Sequence, residues 1–363
     1  MDKYRIDTHK MAYHPKRVAD WVDARGDWEK EKNIFPIYVE ISPTGVCNHR
    51  CTFCSFDYRE YQNKRINPSV LMSRIAGMAS VGVKAIMFAG EGEPTLYKDL
   101  PQVLNLCSAV GIDTSLTTNM VPFNEKNTEN FVKNCKWIKA SINAGTKETY
   151  AKTHGTSEKD FAKVIGNLKR AVAIKKEKGY KCTIGTQILL LPDNYDTVEE
   201  LAKIVKEAGA EYLVIKPYTQ HFDSPNMRYK DVDYSKLVKI KESLEKYNSD
   251  NFSIIFRINA MNKLIEKEER YCVCNSVPFF WAYITSDGDV YGCSSFLGDK
   301  RFNLGNIHEE GFRDIWQGEK RRKCIKFVRG GLDISDCRMI CRMDEVNKYL
   351  NELTHLSDHV NFI

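Results

Sequence analysis

The feature that most constrains this chain is a strand–helix alternation running from about residue 35 to about residue 220. Short apolar, β-branched runs predict strands over 37–41, 84–88, 113–117, 137–141, 183–190 and 212–216. Helical patterns fall between them near 69–81, 98–110, 125–134, 158–178 and 196–208. Asn67-Pro68-Ser69 and Asp196-Thr197 carry helix-start chemistry, and Gly111, Gly179 and Gly209 stand where helices should stop. Strands that alternate with helices pair in parallel through right-handed crossovers. The expected fold class is therefore α/β, a partial (β/α)6 TIM-like barrel whose site lies on loops at the C-terminal strand ends.

The pattern changes beyond Pro217. A helix is expected over 234–248 and a strand over 252–258. A hairpin turning at Ser286-Asp287-Gly288-Asp289 follows, then an amphipathic helix over 311–328 closed by Gly330-Gly331. The expected organisation is a helical extension over 1–34, the barrel over 35–233 and a smaller C-terminal α+β domain over 234–363. With 42% hydrophobic and 28% charged residues the composition is that of a soluble globular chain. No apolar run approaches the ~18 residues of a membrane span. The opening MDKYRIDTHK lacks the apolar core of a secretory signal, so a cytoplasmic location and no membrane partner are expected. The net charge of +6 is spread thinly, and no nucleic-acid partner is expected.

Under that expectation the twelve cysteines point to metal or redox chemistry rather than disulfides. Cys107, Cys135 and Cys182 are widely spaced and read as small buried hydrophobes. The other nine form two groups. Cys47, Cys51 and Cys54 follow the first strand with C-x3-C-x2-C spacing, close enough to wrap an iron–sulfur cluster while leaving one iron open. A zinc site completed by His49 is the alternative, disfavoured because His49 is squeezed between two of the cysteines.

This segment resembles the radical S-adenosylmethionine (SAM) superfamily, whose C-x3-C-x-aromatic-C pattern is completed by Phe53. The family fold is a partial (β/α)6 barrel, and the resemblance spans roughly residues 35–220. It implies a SAM-binding [4Fe–4S] cluster on Cys47, Cys51 and Cys54. One-electron cleavage of SAM would then give methionine and a 5′-deoxyadenosyl radical that abstracts hydrogen from substrate. Ala89-Gly90-Glu91-Gly92-Glu93-Pro94 resembles the family's GGEP motif, with Glu91 as a departure. It implies that Gly92 and Glu93, supported by Gly90, hold the SAM amino group, the glycines letting backbone approach a ligand closely. Ser141 and Asn143 at the end of the fourth strand and Gln187 on the fifth resemble positions that contact SAM, and Asn119, at the end of the third, faces the same mouth and is a further candidate.

The C-terminal group resembles the SPASM and twitch extensions of the same superfamily. Cys274, Gly288 and Cys293 have C-x13-G-x4-C spacing, and Cys337 and Cys341 add C-x3-C where C-x2-C would be expected. The resemblance implies one auxiliary [4Fe–4S] cluster on Cys274, Cys293, Cys337 and Cys341, as in the shorter twitch form. Cys272 could replace Cys274, Cys324 reads as a core residue, and a structural zinc is the alternative. With four protein ligands the auxiliary cluster would accept an electron from a substrate radical, giving a net dehydrogenation. A redox-neutral epimerase, a peptide-modifying maturase and a noncatalytic iron–sulfur or zinc scaffold are the competing readings.

In KPYTQH after the sixth strand, Tyr218 and His221 are candidate catalytic groups. His221 could equally be a solvated loop histidine, and Lys216 could pair with an anionic substrate. About 35 residues precede the first strand, too few for a peptide-recognition domain. The tail CRMDEVNKYLNEL…HVNFI resembles radical SAM proteins of sugar and cell-surface glycan pathways. The expected partner is therefore a small-molecule substrate, a sugar, aminocyclitol or nucleotide sugar, with flavodoxin or ferredoxin as electron donor.

Overall fold

The computed structural model describes residues 4–266 and 270–362. All six expected strands form: β1 (Tyr38–Ile41), β2 (Ala85–Phe88), β3 (Asp113–Thr118), β4 (Cys135–Ser141), β5 (Thr183–Leu190) and β6 (Tyr212–Pro217). They pair in sequence order, each parallel to the next, with helices packed outside. The strand expected over 252–258 is β7 (Ser253–Phe256), parallel to β6. On the other side β8 (Trp281–Ile284) lies parallel to β1, and β9 (Asp289–Tyr291) and β10 (Asn303–Asn306) extend the sheet antiparallel. The result is one curled sheet in the order β10-β9-β8-β1-β2-β3-β4-β5-β6-β7, a partial barrel left open between its edges. The sheet is continuous across residue 234, so the division expected there runs through the sheet rather than between two sheets.

Alternation along the strands explains the two faces. Val39 and Ile41 on β1, Ile86 and Phe88 on β2, and Ile138 and Ala140 on β4 are fully buried against the outer helices. Their helical partners include Leu71, Ile75 and Met78 of Pro68–Ser80 and Leu100, Val103 and Leu104 of Leu100–Ala109. Each such side chain contributes about 1.5–3 kcal/mol by leaving water. The intervening residues point inward: Tyr38 and Glu40, Lys139 and Ser141, Gln187, Lys216. Near one end of this lumen Tyr4 and Ile6 pack on Tyr212, Val214 and Ile255 of β6 and β7.

Three helical expectations differ. The N-terminal helical stretch is two helices, Pro15–Ala24 and Trp28–Glu31. The 234–248 stretch is broken into Tyr234–Leu237 and Ile240–Leu244. The 311–328 stretch divides into Phe312–Gln317 and Glu319–Gly330 because Gly318 is extended, with φ −77° and ψ 163°. Three helices were not expected at all: Ile258–Glu266, Asp344–Glu352 and, next to the first cysteine loop, Lys147–His154, capped by Thr146, whose hydroxyl accepts from Thr149 N. The sequence of the last, KETYAKTH, carries too little apolar periodicity to announce a helix. No helix of the described residues is long and apolar enough to cross a membrane.

Candidate active site at the mouth of the barrel

The loop after β1 brings Cys47, Cys51 and Cys54 together where β2 to β6 present their C-terminal ends. The Lys147–His154 helix holds it there. Its terminal carbonyls, which need partners outside the helix, accept from the loop: Thr153 O from Thr52 N at 2.9 Å and His154 O from Arg50 N at 3.0 Å. Gly155 then turns away with φ +57°; a Cβ there would lie 2.2 Å from Arg50 O. No L side chain fits that close approach.

His154 is 1% exposed and reaches the cysteines directly. Its Nε2 accepts from Asn143 N at 3.1 Å, and Asn143 Nδ2 lies 3.2 Å away. Asn143 Oδ1 accepts from Leu189 N at 2.7 Å, which fixes the amide orientation. With Nε2 an acceptor, the proton of the neutral ring is on Nδ1, 3.3 Å from Cys51 Sγ. His154 thus donates an N–H···S hydrogen bond to Cys51.

The donor set fits a metal cluster. Burial, then Cys54 and Cys47, raise the Cys51 thiol well above its ordinary pKa, and burial pushes Cys47 up to about 12. Thiols so crowded become thiolates when metal replaces the proton. A zinc site through His49 fits poorly. His49, Cys51 and His154 could offer ligand atoms within 4.8 Å of one another, but both His154 nitrogens are committed as described. His49 itself faces Asp160, with Nε2 3.7 Å from Oδ2.

The expected SAM-contacting residues divide into braces and free groups. Glu93 is buried and its carboxylate is unevenly engaged: Oε1 accepts from Thr95 N, Thr95 Oγ1 and Thr118 Oγ1, whereas Oε2 accepts only from Asn119 N, at 2.7 Å. Asn119 donates from Nδ2 to Asn48 Oδ1 at 2.7 Å, tying the end of β3 to the cysteine loop. Asn143 braces His154. The expectation that Gly90 and Gly92 make room for a ligand meets a different geometry. A Cβ on Gly92 would lie 2.4 Å from Val46 O, and one on Gly90, at φ +119°, 2.4 Å from Ser42 Cβ. These glycines let the protein's own loop and first strand pack close. Ser141 and Gln187 remain open at the mouth: Gln187 Nε2 donates to Ser141 Oγ at 2.7 Å, while Gln187 Oε1 is buried without a partner.

Glu91, the departure in GEGEP, is a bracket. Its Oε1 accepts from Arg59 Nε at 3.0 Å, and its Oε2 accepts from Ser286 N at 3.0 Å and Ser286 Oγ at 2.5 Å. It joins the cysteine loop, the turn after β2 and the β8–β9 hairpin.

The second group assembles around that hairpin. Burial first, and then the neighbouring thiols with Cys274 among them, raise Cys293 well above its ordinary value, Cys337 to about 12 and Cys341 to about 11, which places the four close together. Asn347, in the helix Asp344–Glu352, donates from Nδ2 to Cys274 Sγ at 3.3 Å. Its Oδ1 accepts from Asn275 N and Ser276 N, both at 2.8 Å. Cys341 Sγ accepts from Met343 N at 3.4 Å. Cys272 is exposed and Cys324 is buried in the core. The four converging thiols fit a cluster with every corner held by protein.

Between the groups lie the KPYTQH residues. Tyr218 donates its hydroxyl to Gln220 Oε1 at 3.0 Å and packs with Leu191, Tyr229 and Phe53. Phe53 also meets His154 edge-on at 5.4 Å. His221 is not a solvated histidine. It is 1% exposed and stacks on Tyr58 at 4.4 Å, and its Nδ1 accepts from Asp223 N at 3.1 Å. Burial, then Arg338, pushes its pKa down to about 4, so the ring is neutral at ordinary pH.

Residues 41–205 match the Radical SAM superfamily, and residues 272–342 match the SPASM iron-sulfur cluster-binding domain. The chain belongs to the radical SAM superfamily and carries a C-terminal SPASM domain. This radical SAM enzyme binds SAM at a [4Fe–4S] cluster and has auxiliary iron–sulfur binding in its SPASM domain. It is 26% identical over 308 residues to a GTP 3′,8-cyclase of Aquifex aeolicus, covering 78% of this chain and 90% of that one. Its fold is similar to that of Streptococcus suis SuiB bound to the precursor peptide SuiA: TM-score 0.66, 20% identity, 97% of this chain and 80% of that chain. It is likewise similar to anSMEcpe with bound AdoMet: TM-score 0.59, 20% identity, 81% of this chain and 80% of that chain.

Proposed function

We propose that this radical SAM enzyme dehydrogenates a small polar molecule, a sugar, aminocyclitol or nucleotide sugar, inside the barrel lumen, with the SPASM-side site taking up the second electron. The observation that carries this reading is the lumen wall. Glu40, Lys139, Ser141, Gln187 and Lys216, on β1, β4, β5 and β6, present hydrogen-bonding groups inward, which suits a hydroxyl-rich substrate and penalises an apolar one. When bound, the SAM–cluster pair supplies a hydrogen-atom abstractor at the mouth of this lumen.

In this reading Cys47, Cys51 and Cys54 hold the SAM-side cluster. Ser141 and Gln187 orient SAM through the free Gln187 Oε1 and the Ser141 hydroxyl proton. Glu93 fixes the turn through Oε1, and its Oε2, which accepts from Asn119 N alone, meets the SAM amino group together with the backbone of the turn at Gly90 and Gly92. Cys274, Cys293, Cys337 and Cys341 hold the auxiliary cluster. His221, neutral and seated between Tyr58 and the SPASM side, accepts the substrate proton released on oxidation. Tyr218 orients the loop that carries it. Flavodoxin or ferredoxin serves as electron donor in a cytoplasmic setting.

The test is 5′-deoxyadenosine formation by anaerobically reconstituted protein with SAM and dithionite, across a panel of sugars, aminocyclitols and nucleotide sugars. Enhancement by one of them, with a carbonyl product, is the expected result. Enhancement by peptides alone would replace the reading with a maturase, and product of unchanged oxidation state would replace it with an epimerase.

A further inference from the structure

Among the described residues the lumen carries more basic than acidic side chains. Lys139 on β4 and Lys216 on β6 both point inward, with Arg257 directly after β7 and Arg342 directly after Cys341. The two arginines have partners. Arg257 Nε is 3.0 Å from Asp7 Oδ1; Arg342 Nη2 is 2.9 Å from Glu40 Oε2, and its Nη1 donates to Tyr38 OH at 3.3 Å. Among the described residues neither lysine has an ion pair or a hydrogen bond; the nearest feature of Lys139 Nζ is the Trp137 ring, 5.2 Å from its centre. Four cations therefore face two carboxylates.

Lys139 and Lys216 are partly accessible and yet wholly surrounded by protein, as groups on the wall of an internal space are. Burial, and then the neighbouring cations, lowers both: Lys139 to about 7 and Lys216 well below the ordinary ammonium value. Two enclosed lysines beside two arginines are costly unless an anion joins them. Glu40 cannot serve all four, because Arg342 already engages it.

We propose that Lys139 and Lys216, flanked by Arg257 and Arg342, form a phosphoryl-binding subsite in the lumen, and that the substrate is a phosphorylated small molecule. The inference rests on the reading of the lumen as the substrate pocket and narrows it: neutral sugars and aminocyclitols drop out, and sugar phosphates and nucleotide sugars remain. A phosphate monoester or a diphosphate bridge brings negative charge that favours the protonated form of both lysines, and its three or more oxygens meet several donors at once. In the register of the sheet Lys139 lies two residues before Ser141, and Lys216 pairs with Leu189, two residues beyond Gln187, so the two lysines flank the level of the Ser141–Gln187 pair.

The test uses the reconstituted holoprotein and isothermal titration with UDP, glucose 1-phosphate, glucuronate and glucose. Binding of UDP or glucose 1-phosphate is expected, and the tighter of the two identifies a diphosphate or a monoester. Lys139→Met and Lys216→Met should each weaken that binding at least about tenfold and leave SAM affinity unchanged. Both variants should also raise the melting temperature of the ligand-free protein, since each removes an enclosed amine that has no partner. The proposal is overturned if neither phosphate compound binds, if glucuronate or glucose binds equally well, or if the variants lose SAM instead. A neutral sugar that drives turnover without phosphate binding would overturn it while leaving the dehydrogenase reading in place. Phosphate binding with no enhanced 5′-deoxyadenosine formation by any phosphorylated sugar would support it and remove that reading.

Discussion

Cys47, Cys51 and Cys54 reach one another along a single loop, whereas Cys274, Cys293, Cys337 and Cys341 come from three separate stretches that only the sheet brings together. The first group is ringed by donors from elsewhere in the barrel: the end of the Lys147–His154 helix, the His154 ring and the Asn119–Asn48 contact. The second is braced by one helix, through Asn347, and by the Met343 amide. A loop built for an exchangeable occupant is fixed from outside, because its own chain must leave one coordination position open. A site closed by four thiolates is fixed by its ligands. The second group also differs in what it sends outward: Arg342, next to Cys341, enters the lumen.

The comparison breaks most visibly on removal of a ligand. Cys51→Ala should abolish 5′-deoxyadenosine formation and lower iron from about eight to about four per chain, read by product and metal analysis. Cys293→Ala should cost the same iron yet keep dithionite-driven SAM cleavage within severalfold, while substrate turnover is lost. Equal loss of cleavage in both would show that the sites are not separable.

Smaller effects probe the ties between them. Glu91→Gln leaves Arg59 with only the longer contact to Asp287, 3.6 Å away, and should lower stability by about 1 kcal/mol, seen in denaturant titration. His221 tests burial between the sites. Its folded pKa is depressed below the unfolded value, so the unfolded chain takes up a proton that the folded chain refuses, and stability falls as pH drops below about 6.5. Between pH 6.5 and 5.5 the native protein should lose about 1 kcal/mol more than His221→Gln. Finally, His154→Leu removes the N–H···S bond that favours the more negative, reduced cluster. The SAM-side midpoint potential should fall by about 20–60 mV in an EPR-monitored titration, with the auxiliary potential unmoved.

The sequence pattern carried the six barrel strands and most outer helices, because the period of their apolar residues is local. It did not carry the Lys147–His154 helix, whose hydrophobic face is little more than Tyr150. With that helix went His154, which meets Cys51 from 103 positions away. The GEGEP departure was visible, but its meaning was not, since Glu91 answers to Arg59 and Ser286 and neither contact leaves a trace in spacing. Nine cysteines fell into two groups by position, and the resemblance to the family, not spacing alone, singled out seven of them. That Asn143 and Asn119 would serve as braces, while Ser141 and Gln187 stay open, depended on which side of a strand end each one faces.

Glu91 has one further consequence, for the order in which the molecule matures on the ribosome. Ser286 lies 195 positions after Glu91, so the nascent chain exposes its first three thiols long before the hairpin that completes the Arg59–Glu91–Ser286 bracket has been translated. The tie between that loop and the hairpin therefore closes only after residue 286 has been made.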